Sequence, residues 1–133
     1  MAEITDDVRR RIMQANKSKD TKPELDIRRM LHAMGARFRL HRKDLPGKPD
    51  IVLPGRKLCI FVNGCFWHQH QGCYLASKPK TNSKYWSEKF KANKLRDKRN
   101  EHDLRDMGWR VEVIWECELD NPAKLQNRLE KLL

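Results

Sequence analysis

No stretch of this 133-residue chain approaches the roughly 20 consecutive apolar residues that a membrane-spanning helix needs. The opening MAEITDDVRRR is charged from the start and lacks the apolar core of a secretion signal, so residence in the cytoplasm is the expectation. Repeats, low-complexity tracts and long linkers are missing too, which leaves a single domain over residues 1–133 with room for one core. Cysteine is scarce. Only Cys59, Cys65, Cys73 and Cys117 occur, and in a reducing compartment they point to metal or plain burial instead of disulfides. Acidic charge is short as well: Asp and Glu total 18 against 29 Lys and Arg, a net charge of +11. So large an excess on so small a domain favours a polyanionic partner, nucleic acid above all. The basic stretches have no continuous apolar face opposite them, which argues against a membrane surface. Nothing resembles a symmetric apolar interface, so a monomer is expected.

What is present reads as alternating helices and strands. In DTKPELDIRRMLHAMG, Thr21 caps a helix, Pro23 sits in its first turn and Glu24 completes a capping box. Ile27, Met30, Leu31 and Met34 form its apolar stripe and Gly35 ends it. ARFRLH alternates, predicting a half-buried strand over 36–41 with Ala36, Phe38 and Leu40 on one face. The turn-rich DLPGKP then delivers Asp50 to a short strand over 50–54, with Lys48 expected to be extended because a proline follows it. KLCIFVN (57–63) suits a central strand buried on both faces, with Cys59 a small core residue. A long charged helix over about 83–107 carries a broken apolar face of Trp86, Phe90, Leu104 and Met107. WRVEVIW (109–115) is a strand with Trp109, Val111, Val113 and Trp115 on one face. NPAKLQNRLEKLL is a helix capped by Asn121 with Leu125, Leu129 and Leu132 inward. The order α-β-β-β-α-β-α implies an α/β fold with a mixed central sheet flanked by helices.

One loop concentrates unusual chemistry. GCFWHQHQGCY (64–74) holds two cysteines, two histidines and three aromatics. Thiolate and imidazole on a short loop suit a tetrahedral zinc ion, with Cys65, Cys73 and either His68 or His70 as ligands. A fourth ligand is needed, and Cys117 arrives at the same sheet end if strand 109–115 lies beside 57–63. The adjacent Phe66 and Trp67, with Trp86, are either core residues or wedges of the kind that basic proteins insert between base steps.

Asp50 is a carboxylate at the mouth of an apolar strand, where desolvation is costly unless something compensates. Hard-oxygen ligation of Mg²⁺ beside a phosphate is one such reason. A zinc-free His68 could move a proton. Glu24 could hold a metal-bound water, although a capping-box glutamate already has a structural job.

Taken together, SKDTKPEL, LPGKPDIV, FVNGCFWHQH, KANKLRD and GWRVEVIWEC make the chain from about residue 12 to 130 similar to the very short patch repair (Vsr) endonucleases. The resemblance implies a fold like that of type II restriction endonucleases, the PD-(D/E)xK group, and Mg²⁺-dependent nicking of one DNA strand 5′ to the thymine of a T:G mismatch. It implies that Asp50 and the main-chain carbonyl of Val62 hold the magnesium, that His68 is the catalytic histidine and that Glu24 is an outer-shell acid. It makes Phe66, Trp67 and Trp86 the intercalating aromatics, and Cys65, His70, Cys73 and Cys117 the ligands of a structural zinc, which frees His68. It further implies duplex DNA as partner, with mismatch-repair proteins and a paired cytosine-5 DNA methyltransferase as associates. Asn93, Arg96 and Asp97 fall in a signature stretch, where a salt-bridged helix face accounts for them equally well.

Three positions depart from the pattern. The Glu-x-Lys half of the wider nuclease motif is absent, as it is from the Vsr group itself. Asn63 stands where the best-known members carry a second histidine, and an amide exchanges no proton near neutrality. Gly72 is an extra residue inside the cysteine–histidine loop. Two rival readings survive: a zinc-containing mismatch- or structure-binding protein without cleavage, and a nicking nuclease with relaxed specificity.

Overall fold

A computed structural model of the chain describes residues 20–133. The charged N-terminal stretch and the Ser18–Lys19 start of the first signature lie outside the described residues.

Helix α1, Lys22–Ala33, starts where Thr21 caps it, the threonine hydroxyl accepting from the Glu24 N–H at 3.4 Å. The reciprocal half of the capping box is shifted by one residue, since the Glu24 carboxylate accepts from the N–H of Asp20 at 3.2 Å. Gly35 at φ +77 follows the helix and lets the chain reverse.

Strands β1 (Arg39–Leu40), β2 (Ile51–Leu53) and β3 (Leu58–Asn63) form the expected antiparallel meander. β4 (Arg110–Trp115) joins it in parallel after the crossover helix α2, Ser83–Asp106, giving the order β1-β2-β3-β4. Helix α3, Pro122–Leu132, is capped by Asn121, whose side chain accepts from Lys124 N–H at 3.3 Å.

Alternation along the strands feeds two apolar layers. Ile51, Leu53, Leu58, Ile60 and Ile114 meet Ile27 and Leu31 of α1 and Leu125 and Leu129 of α3. Val52, Cys59 and Val111 face the other way, onto Leu45 and onto Leu104 of α2. The sheet is therefore covered on both faces, and Cys59 is fully buried as expected, with burial pushing its thiol up to about 11.

Three expectations need correction. The strand over 36–41 shrinks to two exposed residues, with Leu40 40% accessible. Among the described residues it pairs with the short β2 alone, so backbone pairing ends early, although Ala36 and Phe38 still pack against the core. Met107 is 52% exposed instead of inward, because α2 stops before it and Gly108 at φ +91 turns the chain away. β4 alternates as expected, with Trp109 and Val111 on one layer and Ile114 on the other. Lys48 is left-handed, at φ +49, although Pro49 disfavours anything but extended backbone there.

Among the described residues no helix is long and apolar enough to cross a membrane.

Candidate active site and metal centre

The hairpin of β2 and β3 builds the first half of the site. Antiparallel pairing of Ile51 with Ile60 places Asp50, one residue before β2, beside the end of β3. There its Oδ2 accepts from the Val62 backbone N–H at 2.7 Å. Asp50 opens onto a cavity of about 680 Å³ that Glu24, Val62, Asn63, His68, Arg96 and Asp97 also line. A carboxylate walled off from solvent would exclude metal chemistry; this one has a route in.

The electrostatics of the pair are strained. Burial, then the charge of Glu24 and a hydrogen bond with it, push the Asp50 carboxyl up to about 7, against the Val62 N–H and the charge of Arg28, which pull it down. Two acids held together out of water favour one shared proton or a cation between them. Arg28 supplies part of that charge, its guanidinium donating to Glu24 at 3.0 Å and to Asp20 at 2.7 Å. Asp20, Glu24 and His41 also converge closely enough to suit a metal, but the Arg28 guanidinium stands among them, 2.9 Å from the His41 ring.

The second half of the site comes from the loop after β3 and from α2. His68 Nδ1 lies 2.5 Å from Asp97 Oδ2, and both side chains are about a quarter exposed. A carboxylate on one ring nitrogen fixes the tautomer and orientation, leaving Nε2 for another partner. Asn93, one turn earlier on α2, donates to the Trp67 main-chain carbonyl at 3.1 Å, and Arg96 donates to the Asn93 side-chain Oδ1 at 3.2 Å. The helix therefore reaches into the loop at two places; a self-paired solvent face is not what residues 93–97 form.

The aromatics behave unequally. Phe66 is 4% exposed at the centre of a cluster, with ring centroids 5.0 Å from Trp67, 5.5 Å from Trp86 and 5.4 Å from Phe90. It packs instead of projecting, so insertion into DNA requires it to leave these contacts. Trp67 and Trp86 are half-buried, Trp67 lines the cavity, and the Lys89 ammonium lies over both rings at 5.6 and 5.7 Å.

The cysteine–histidine cluster offers a complete set of four donors, where the acid site leaves positions open. Parallel pairing sets Asn63 opposite Trp115, so the loop after β3 and the segment after β4 leave the sheet side by side. Ligand atoms of Cys65, His70, Cys73 and Cys117 all lie within 4.8 Å of one another. His70 Nδ1 is 3.6 Å from Cys65 Sγ and 3.4 Å from Cys117 Sγ, close to the roughly 3.5 Å edge of a tetrahedron with ordinary Zn–S and Zn–N lengths. Burial pushes the Cys65 thiol far above its ordinary range and that of Cys117 up to about 11, with Cys73 adding to both while a hydrogen bond with Cys65 pulls Cys117 back. Three thiols in contact ionise together only around a cation, so the donor set fits a zinc-type ion. His68 is not part of it. Gly72, the inserted residue, takes φ +73 with nothing within 4 Å of a side chain there, so the loop absorbs it as a turn.

Sequence reasoning missed four contributors. Arg28 lies one helical turn after Glu24, a spacing that could have revealed it. Glu116 is 3% exposed and its Oε1 accepts from the Cys65 N–H at 3.0 Å. Trp115 stacks on the His70 ring, 4.1 Å away and 6° from parallel. Lys48 lines the acid cavity from its left-handed conformation, which for a residue with a side chain costs on the order of 1–3 kcal/mol. None of these last three carries a local sequence signal.

A family model described as DNA mismatch endonuclease Vsr matches residues 1–75. The chain is 54% identical over 125 residues to the type II nicking enzyme V.XorIIP of Xanthomonas oryzae pv. oryzae, covering 94% of this chain and 91% of that protein. It is 40% identical over 126 residues to the DNA mismatch endonuclease Vsr of Escherichia coli, covering 94% and 80%. Among solved structures, the catalytic domain of homing endonuclease I-Bth0305I superposes with a TM-score of 0.57 at 25% identity, covering 85% of this chain and 94% of that one. The fold is accordingly that of the PD-(D/E)xK nucleases, a mixed sheet between helices.

Proposed function

The chain belongs to the Vsr family of DNA mismatch endonucleases, and from that membership we propose that it nicks one strand of duplex DNA 5′ to the thymine of a T:G mismatch. The observation that carries the reading is Asp50, pinned by the Val62 N–H, sharing one cavity with Glu24 and with the His68–Asp97 pair.

Asp50 and the Val62 main-chain carbonyl would hold a magnesium ion, with Glu24 reaching it through water. When bound, magnesium supplies positive charge against the phosphoryl oxygens, which is worth several kcal/mol at the transition state. His68, oriented by Asp97, takes the proton of the attacking water at Nε2 as the new oxygen–phosphorus bond forms and the bond to the departing sugar oxygen breaks; the carboxylate steadies the imidazolium, and solvent water protonates the departing oxygen. Asn63 exchanges no proton, so His68 alone carries acid–base work. Trp67 and Trp86 are half-exposed and suited to stacking on bases beside the mismatch; Phe66 joins them if the cluster opens.

Cys65, His70, Cys73 and Cys117 would hold a structural zinc that orders the loop bearing His68. The basic surface supplies affinity that falls steeply with salt. A T:G pair arises when 5-methylcytosine loses its amine, which is the chemical link to a cytosine-5 methyltransferase and to mismatch-repair proteins.

A labelled-duplex assay tests the reading, comparing T:G with T:A substrates, with and without Mg²⁺, and wild type with Asp50→Ala. The expected result is a nick on the thymine strand of the T:G duplex that needs Mg²⁺ and falls about 1,000-fold in the variant. Equal cutting of both duplexes would remove the mismatch requirement. Binding without cutting would favour a zinc-containing mismatch-binding protein.

A further inference from the structure

Asp50 and Glu24 share a cavity and repel an approaching phosphodiester, and the guanidinium beside them is already engaged. Arg28 is spent on Asp20 and Glu24. The end of β3 adds only the neutral amide of Asn63, which is buried. Beyond the charge that a magnesium ion at Asp50 would supply, positive charge facing the phosphate comes from the cavity walls, where Lys43, Lys48 and Arg96 are the lysine and arginine side chains.

Of these three, Arg96 donates to Asn93 on its own helix. Lys43 neighbours the exposed Arg42–Asp44 ion pair and stands seven positions before Asp50. Lys48 is different in three respects. It stands two residues before Asp50, so its Cα lies within about 7 Å of the Asp50 Cα. No carboxylate pairs with it among the described residues. Its backbone is held where a lysine before proline does not rest by itself, at φ +49.

The surroundings enforce that conformation. Leu45 to Lys48 form a tight turn, with Gly47 at φ +76 and the Lys48 N–H donating to the Leu45 carbonyl at 3.0 Å. Helix α2 presses Asn100 against the turn so closely that a Cβ on Gly47 would come within 2.9 Å of the Asn100 Cβ. Backbone strain of this kind persists where the fold over-determines it, and it collects at functional sites. What this strained turn holds at the cavity is an exposed lysine with no ion pair among the described residues.

We propose that Lys48 is a further catalytic residue, its ammonium group lying against a non-bridging oxygen of the scissile phosphate and offsetting the charge that builds there during attack. Water forms the new oxygen–phosphorus bond, the bond to the departing sugar oxygen breaks, and Lys48 keeps its protons throughout. This rests on the nicking activity proposed above.

The test compares wild type, Lys48→Gly and Lys48→Arg in single-turnover nicking of a saturating T:G duplex with Mg²⁺. Affinity for the same duplex is measured in parallel, with Ca²⁺ in place of Mg²⁺. Glycine removes the charge yet is at ease at positive φ, so the fold is not at risk. The expected result is a rate at least about 100-fold lower for Lys48→Gly, a loss of affinity under about tenfold, and recovery of most of the rate in Lys48→Arg. A Lys48→Gly rate equal to wild type at saturation overturns the proposal, as does a defect that vanishes once the DNA is saturating. Failure of the wild type to nick at all would instead sink the activity itself, and this inference with it.

Discussion

Two places in this molecule crowd together groups that would carry the same negative charge, and they resolve the conflict in opposite ways. At one, Cys65, Cys73 and Cys117 gather with His70, Cys65 buried and the other three half-buried. At the other, Asp50 and Glu24 share an open cavity, with a backbone N–H and a guanidinium meeting part of the demand. Soft donors in a closed cage make a site that is nothing without its ion and has no reason to release it. Hard donors, half-satisfied and open, make a site that persists empty and takes its ion along with a phosphate. On the proposed reading, local chemistry separates a staple from a working centre within a few residues of chain.

The sharpest way to break this contrast is to damage the cage. Cys73→Ser is expected to lose about one equivalent of zinc by elemental analysis and several kcal/mol of stability, because binding energy at a structural site is folding energy. Unchanged metal content would remove the staple and leave the two clusters alike.

A smaller effect, of the order of a few kcal/mol, is expected at the acid pair. The Asp50 carboxyl rises from 3.8 to about 7 on folding. Below the lower value both states hold the proton; between the two only the folded state does, so raising pH through this window costs stability. In magnesium-free buffer the melting temperature should therefore fall between about pH 4 and 7 and then level off. Asp50→Asn should flatten that slope while abolishing nicking, and Mg²⁺ should protect the wild type more at pH 8 than at pH 5. A slope untouched by Asp50→Asn would mean that the pair is not strained.

Much of this arrangement was legible before any coordinates. Thr21 and Asn121 announced their helices through cap chemistry, and the apolar run 57–63 announced a central strand, because both signals are local. Placing Cys117 beside the 64–74 loop needed only the guess that β4 flanks β3, which the pairing of Asn63 with Trp115 bears out. What the sequence hid is tertiary. Phe66 and Trp67 are neighbours in chain, yet α2 buries one and leaves the other half-open, through Trp86 and Phe90 some 20 residues away. Leu40 lost its place inside because its partner strand is three residues long. The left-handed Lys48 contradicts its own local preference, and only contacts with α2 explain how it persists.

A further probe asks whether the open site is also built for proton movement. Asp97→Asn retains the shape against His68 but lets the amide N–H₂ face Nδ1, favouring the wrong tautomer. Nicking at saturating DNA should fall about 100-fold, with affinity unchanged, and imidazole-ring tautomer shifts in nitrogen NMR should move with it. An unchanged rate would reduce the 2.5 Å contact to helix packing.

The smallest effect returns to the cage, where the comparison predicts that rigidity, not charge, governs the outer contacts. Trp115 lies flat on His70 and holds the ring with Nδ1 toward the sulfurs. Trp115→Leu keeps an apolar wall but lets the ring turn, so zinc stoichiometry should stay intact while competition with a chelator shows roughly tenfold weaker binding. The acid site should hardly notice, because Trp115 does not line its cavity. A loss of nicking larger than the loss of zinc affinity would mean that the stacked ring also positions His68, whose centroid lies 6.4 Å from Trp115. The staple and the working centre would then be one unit, joined through a single indole.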